Sequence, residues 1–318
     1  MDFFERSGLV AIGSRTRLLS ERLLRDAREI NLLYGSDLKP KWFPVFYLLL
    51  QDGVGVVKDL AASTGQSHPA VVKVVGELVK AGLVERKPHP TDGRSSLISL
   101  TAKGKALGER TREVVPPVEA TVKEIMGECA HDLWQALAEW EKALDRRSLL
   151  KRAIDIRKAK SAEKLAIVPY NYTAIHRQAW YDLNEAWVSQ YFVMEEADHK
   201  SLRDPEGYIL DKGGHILIAE YEGQPVGTCG LIKMDDPLYD YELAKMCIAP
   251  KVHGLGFGYL LGRAALVLAK DKGAKAVYLE TNHQLQPAIA LYRKLGFVDV
   301  VGNPSPYARC DVKMGINL

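Results

Sequence analysis

Residues 251–270 read KVHGLGFGYLLGRAALVLAK, with glycine at 254, 256 and 258 and an amphipathic run directly behind them. Alternating glycines ahead of a helix either let the main chain turn sharply or let a phosphate reach bare amide groups. Three readings compete. The first is a loop that simply precedes a helix. The second is a dinucleotide-binding turn with Glu280 as its distant acid. Only residues 281–318 remain after Glu280, too few to complete a doubly wound sheet. The glycine spacing is also wrong for that fingerprint, and Ala249-Pro250-Lys251-Val252 interrupts the strand that should run straight into it. The third is a pyrophosphate cradle. A strand ending in MCIAP (246–250), a short turn, the glycines and a helix N-terminus would aim consecutive N–H groups at one point, helped by the helix dipole. Side chains at 254, 256 and 258 would block the approach.

This stretch resembles the coenzyme A loop of the GNAT superfamily of N-acetyltransferases, whose pattern is Arg/Gln-x-x-Gly-x-Gly/Ala. His253 stands in the Arg/Gln place, and Gly256 and Gly258 match the glycines. Two further stretches carry the resemblance: ALYRKLGF (290–297) behind the strand AVYLET, similar to the family's late helix, and YELAKMCIAP (241–250), similar to its splayed central strand. The asparagine often found ahead of the late helix falls at Leu285. The resemblance covers roughly 164–318 and implies an α/β GNAT fold with a central mixed, mostly antiparallel sheet. It implies acetyl-CoA as cosubstrate, held by the main chain of His253, Gly254, Leu255, Gly256, Phe257 and Gly258 and by Met246. It makes the Ile248 N–H the oxyanion donor and Tyr292 the residue that protonates the sulfur. Glu242 falls where some members keep a base. Strand alternation puts Glu242, Ala244 and Met246 on one face if the strand is regular. LNEAWVSQYFVMEEADHKSL supplies Trp187, Tyr191 and Phe192, with an acidic group, Glu195, Glu196 and Asp198, as candidate contacts for a small amine or amino acid acceptor.

Working outward, 318 residues exceed one ordinary core, so two domains are expected. No apolar run reaches membrane length. The opening MDFFERSG lacks the regions of an export signal, so a cytoplasmic protein is expected. Cys129, Cys229, Cys247 and Cys310 lie far apart without CxxC spacing, which argues against a disulfide framework and against a metal site. Residues 53–112 hold ten Lys/Arg against five Asp/Glu, whereas 113–150 hold four against eight. A basic block beside an acidic one hints at nucleic acid.

Apolar spacing predicts a long helix over 4–34, a short one beginning near Pro44, helices over 57–63 and 67–81, and strands over 83–87 and 95–100 joined by HPTDGR. Next come a helix that Pro116-Pro117 stops and one carrying Leu133, Leu137, Trp140 and Leu144. Helix, tight turn, helix and hairpin make a winged helix-turn-helix. GLVER (82–86), then Asp92-Gly93-Arg94 before LISLTAKG, resemble the MarR family of bacterial regulators across about 5–145. The resemblance implies a mainly α DNA-binding domain, placed at 1–147, which dimerises through its terminal helices. The linker is placed at 148–163 and the acetyltransferase domain at 164–318. Double-stranded DNA would meet His68, Pro69, Ala70, Val72 and Lys73 on the recognition helix, with Arg86, Asp92 and Arg94 on the wing. That helix face is largely apolar, which weakens direct base readout. The whole reads as a regulator fused to a working N-acetyltransferase. The alternative is a regulator whose second half only senses acetyl-CoA or a metabolite.

Overall fold

The computed structural model describes residues 2–91, 95–301 and 309–318. The chain divides into two compact units, Met1–Glu139 and Trp140–Leu318.

The first unit opens with α1 (Phe3–Ser7), a 3₁₀ turn (Gly8–Ala11) and α2 (Ile12–Leu33). The long helix expected over 4–34 is therefore broken at Gly8, whose φ of 57° is left-handed. After α3 (Phe43–Asp52), a strand missed in the sequence, β1 (Val54–Val56), leads into α4 (Val57–Thr64) and α5 (His68–Lys80). Strands β2 (Val84–Pro88) and β3 (Ser96–Leu100) form the wing hairpin, and β1 adds to β3, giving the antiparallel order β1-β3-β2. Val71, Val74, Val75 and Leu78 are buried, as their spacing predicts, against Phe46, Leu49 and Ile98. Ser67 sits at the start of α5, but its side chain makes no capping bond. Thr101 does cap α6 (Ala102–Glu128), accepting from the Gly104 N–H. The expected stop at Pro116-Pro117 does not occur: both prolines lie inside α6. They are exposed, so their rings meet no packed neighbour, and buried Val114 anchors the turn before them. α7 (Leu133–Arg146) follows, and the division between the units falls within it.

In the second unit the segment read as a linker is a helix, α8 (Leu149–Ala162), capped by Ser148. Then come β4 (Leu165–Pro169), α9 (Ala174–Tyr191), α10 (Glu196–Arg203), β5 (His215–Tyr221), β6 (Gln224–Lys233) and β7 (Tyr241–Ile248). α11 (Phe257–Asp271) crosses to β8 (Ala276–Thr281), followed by α12 (Gln286–Leu295), β9 (Val298–Asp299) and β10 (Val312–Asn317). The sheet order is β4-β5-β6-β7-β8-β10-β9. Every described pairing is antiparallel except β7 with β8, which is parallel. One face packs on α11 and α12 through Leu243, Leu261, Ala265, Leu279 and Phe297. The other packs Trp180, Leu202, Ile216 and Ile218 beneath α9 and α10. No described helix is long and apolar enough to cross a membrane.

Candidate active site and nucleic-acid interface

The β7–β8 junction makes the site. Only Tyr241 with Val277 and Glu242 with Tyr278 are paired. Beyond Glu242 the strands part, and a cleft opens between them. It is lined by Glu242, Ala244, Lys245 and Met246 on one side and by Glu280, Thr281 and Asn282 on the other, with Tyr292, Trp187 and Phe192 closing it.

A bulge shapes β7. Its register with β6 shifts between Thr228 and Gly230, and Lys245 sits there with φ 51°. An extra residue in one strand reverses which face the following side chains take. Met246 accordingly points to α11, its Cε 3.3 Å from where a side chain on Gly262 would begin. Cys247 takes the other face, its Sγ 3.2 Å from Thr228 Oγ1, which accepts from Asn184 of α9. The shared face expected for Glu242, Ala244 and Met246 thus ends at Ala244. Thr228 Oγ1 also donates to the Lys245 carbonyl at 2.9 Å, satisfying a group that the bulge removes from the ladder.

The end of β7 sets the main-chain donors. Ala249 N–H bonds to Val226 O on β6, while the Ile248 carbonyl lies 2.8 Å from His253 Nε2. A carbonyl only accepts, so that nitrogen carries the proton. Within a strand residue, N–H and C=O point the same way and the next residue's point oppositely. The Ile248 N–H therefore points away from β6, toward the gap that β8 has left. His253 is committed to the strand end, and its other nitrogen is left as an acceptor unless it protonates.

In the glycine turn, Gly254 and Gly256 have φ of 78° and 85°. The amides of Gly254, Gly256, Phe257, Gly258 and Tyr259 have no main-chain partner among the described residues, whereas Leu255 N–H bonds weakly to Val252 O. The three glycines turn out to serve different ends. A Cβ at Gly254 would meet nothing within 4 Å, and one at Gly256 would only touch Lys158. At Gly258 it would come 3.3 Å from Leu291 Cδ2 of α12, so helix packing also favours a glycine there. The side chains of Leu255 and Phe257 are buried in the core, which leaves only their main chain to the site. Gly256→Ala is expected to destabilise the fold by about 1 kcal/mol through its left-handed φ alone, read from the urea midpoint.

Charge gathers in the cleft. Burial first, and Glu280 second, push the Glu242 carboxyl up to about 7, with Lys245 opposing. Tyr278 donates to Glu280 at 3.0 Å. Burial pushes the Tyr292 phenol well up from its ordinary range. Asp198 is fully buried and accepts from Lys245 Nζ at 2.7 Å and from both terminal nitrogens of Arg309 at 2.7 and 2.8 Å. Burial would raise its carboxyl, but these bonds prevail and hold it at about 2. Arg309 also pairs with Glu195 at 3.0 Å and stacks over Phe192.

Of the acceptor candidates, Trp187, Phe192 and Asp198 line the cleft, and Glu195 stands behind it, paired with Arg309 and bonded through its N–H to Asp198. Tyr191 is half exposed and does not line it. α9 ends at Tyr191 and Phe192 turns extended, so the ring of Phe192 enters instead. Sequence reading missed Lys245, Arg309 and Asn282 and considered Glu280 only as the acid of a dinucleotide turn. Asn282 lies three residues ahead of Leu285, accepts from Gln284 N–H at 2.8 Å and donates to Arg309 O at 2.6 Å, closing the turn before α12. AVYLETN held the signal for Glu280 and Asn282, as polar residues at the end of a parallel strand. Asp198 was legible as one of three neighbouring acids, but its burial and its pairing with Lys245 and Arg309 had no local signal.

In the first unit, His68, Pro69, Ala70, Val72 and Lys73 all lie on the exposed face of α5, and Arg86 is exposed on β2. Asp92 and Arg94 lie outside the described residues.

The model of the acetyltransferase (GNAT) family matches residues 180–297, and that of the MarR family matches residues 36–95. An N-acetyltransferase of Escherichia coli K12, YjgM, is 36% identical over 110 residues, 33% of this chain and 66% of that protein. N-acetyltransferase 8 of Rattus norvegicus is 29% identical over 122 residues, 37% of this chain and 54% of its own length. The transcriptional repressor MprA of Escherichia coli K12 is 34% identical over 84 residues, 26% of this chain and 42% of its own. The chain thus spans between roughly two fifths and two thirds of the length of these relatives. The chain joins a MarR-family winged helix-turn-helix segment to a segment of the GNAT acetyltransferase family.

Proposed function

We propose that the chain is a homodimeric DNA-binding regulator fused to an acetyl-CoA-dependent N-acetyltransferase whose acceptor is a small amine or amino acid. The observation that carries the enzymatic half is the partly buried carboxyl of Glu242, placed where β7 and β8 part. The free amides of the glycine turn fit a diphosphate, and the fork fits an extended pantetheine arm along Met246. Acetyl-CoA supplies the activated acetyl group. Glu242, with Glu280 beside it, accepts one proton from the acceptor's ammonium, and the Ile248 N–H faces the oxygen on which charge develops. The amine's second proton, shed as the amide forms, goes to the sulfur.

Tyr292 takes a revised part. A phenol raised by burial is a weaker acid than a thiol of ordinary pKa about 8.5. It therefore donates a hydrogen bond to the departing sulfur and keeps its proton. Tyr292→Phe is expected to lower kcat about 10- to 100-fold, the worth of one hydrogen bond to a charged partner. CoA affinity by calorimetry stays unchanged; an equal loss of binding would mean that the ring only packs.

For the DNA half, Lys73, Arg86 and Arg94 supply the phosphate and wing contacts, while the apolar exposed face of α5 touches thymine methyls at most. The deciding experiment incubates the full chain with acetyl-CoA and a panel of polyamines, arylamines and amino acids and follows free thiol. Release with at least one amine supports the enzyme. CoA binding with no release from any of them leaves a ligand sensor.

A further inference from the structure

The Asp198–Lys245–Arg309 cluster joins three pieces of chain that wall the cleft: α10, the bulge of β7, and the segment leading into β10. Asp198 is inaccessible, and the side chain of Lys245 is 7% exposed. A lysine this enclosed goes where its carboxylate partner is, because an unpaired buried ammonium is costly. Two carboxylates compete for it. Asp198 lies on α10, and Glu242 lies three residues away on the same strand and lines the same cleft. The bulge at Lys245 turns the chain so that the ammonium meets Asp198 at 2.7 Å.

We propose that Asp198 is a positioning residue that holds the Lys245 ammonium on the α10 side of the cleft, so that the carboxylate of Glu242 stays available to take a proton. The proposal rests on the reading of Glu242 as the base, but it concerns where a charge sits and can be read without turnover. The groups facing Glu242 are Glu280 and Tyr278 from β8, Lys245 from its own strand, Asp198 from α10, Arg309 and Cys310 from the segment before β10, and Tyr292 from α12. Freed of Asp198, Lys245 would turn toward the remaining acids of the cleft, Glu242 and Glu280, while Arg309 keeps its pairing with Glu195. An opposite charge that arrives within hydrogen-bonding reach lowers a carboxyl pKa by about 1–3 units. Loss of Lys245 removes the cation that already opposes the upward push on Glu242. The two substitutions therefore act in opposite senses, which loosened packing would not do.

The test is a carboxyl ¹³C titration of the full chain labelled in glutamate side chains, with Glu242→Gln and Glu280→Gln used to assign the resonances. In Asp198→Asn the Glu242 midpoint should fall by about 1 unit or more. In Lys245→Met it should rise above that of the parent. If Asp198→Asn fails to fold, Lys245→Met and Arg309→Gln are read alone. Arg309→Gln leaves the Lys245 ammonium on Asp198 and should leave the midpoint within a few tenths of the parent's. A Glu242 midpoint that is unchanged in Lys245→Met, or that moves the same way in Asp198→Asn and Lys245→Met, overturns the proposal. If the midpoints shift as expected while the pH profile of thiol release stays fixed, the proposal stands and the reading of Glu242 as the base falls.

Discussion

Glu242→Gln is expected to lower kcat/KM by about 10²- to 10⁴-fold, the usual worth of a positioned base, with CoA affinity unchanged. The amide keeps the size and burial of the side chain and removes only its ability to accept the proton. The pH dependence follows from the same carboxyl. Its pKa is raised to about 7, so below that value the group is protonated and cannot act. The rate should climb about tenfold per pH unit up to neutrality and then level off, and Glu242→Gln should flatten that limb. Glu280→Gln removes the neighbouring negative charge, so the midpoint of the limb should move to lower pH. Parental turnover in Glu242→Gln, or a limb that survives the substitution, would show that the proton goes elsewhere.

The second large effect concerns assembly. α2 exposes Leu9 just ahead of it and Leu19, Leu23 and Leu33 along it; α7 exposes Leu133, Trp134, Leu137 and Trp140. In the proposed homodimer a second copy of the chain would cover these apolar stripes. A dimer couples two recognition helices, and linking two sites raises overall affinity by about 10²- to 10⁴-fold. The double variant Leu19→Glu, Leu23→Glu is therefore expected to sediment as a monomer and to bind a palindromic duplex at least about 100-fold more weakly. Its salt slope should be near half the parent's, since half the phosphate contacts remain. Parental sedimentation in that variant would assign the stripes to cover within the chain.

Periodicity was enough where burial is one-sided. The set Val71, Val74, Val75 and Leu78 is buried where its spacing puts it, and the stretches YELAKMCIAP and AVYLET form strands over Tyr241–Ile248 and Ala276–Thr281. The exceptions have local causes that a one-dimensional pattern does not carry. Pro116-Pro117 would end a helix in isolation, yet α6 runs through them, its buried residues from Gly104 to Val114 all lying ahead of the pair. Residues 148–163 read as a basic linker that could be a tether or a helix, and 149–162 form a helix capped by Ser148. Tyr191 and Phe192 are equivalent by composition, and only the end of α9 decides which ring enters the cleft.

By itself the sequence determined the helix-turn-helix with its hairpin and the glycine turn ahead of α11, because each is written in neighbouring residues whose spacing matches a helix, strand or turn; the α/β fold of the second half and the places of Glu242 and Tyr292 were legible only through resemblance of motifs. The tertiary structure alone decided the bulge at Lys245, the parting of β7 from β8, the charge state of Glu242 and the buried partnership of Asp198 with Lys245 and Arg309. That partnership joins groups 47 and 111 residues apart along the chain. All four features depend on which distant segments meet and on how far water is excluded once they do, which no local pattern encodes.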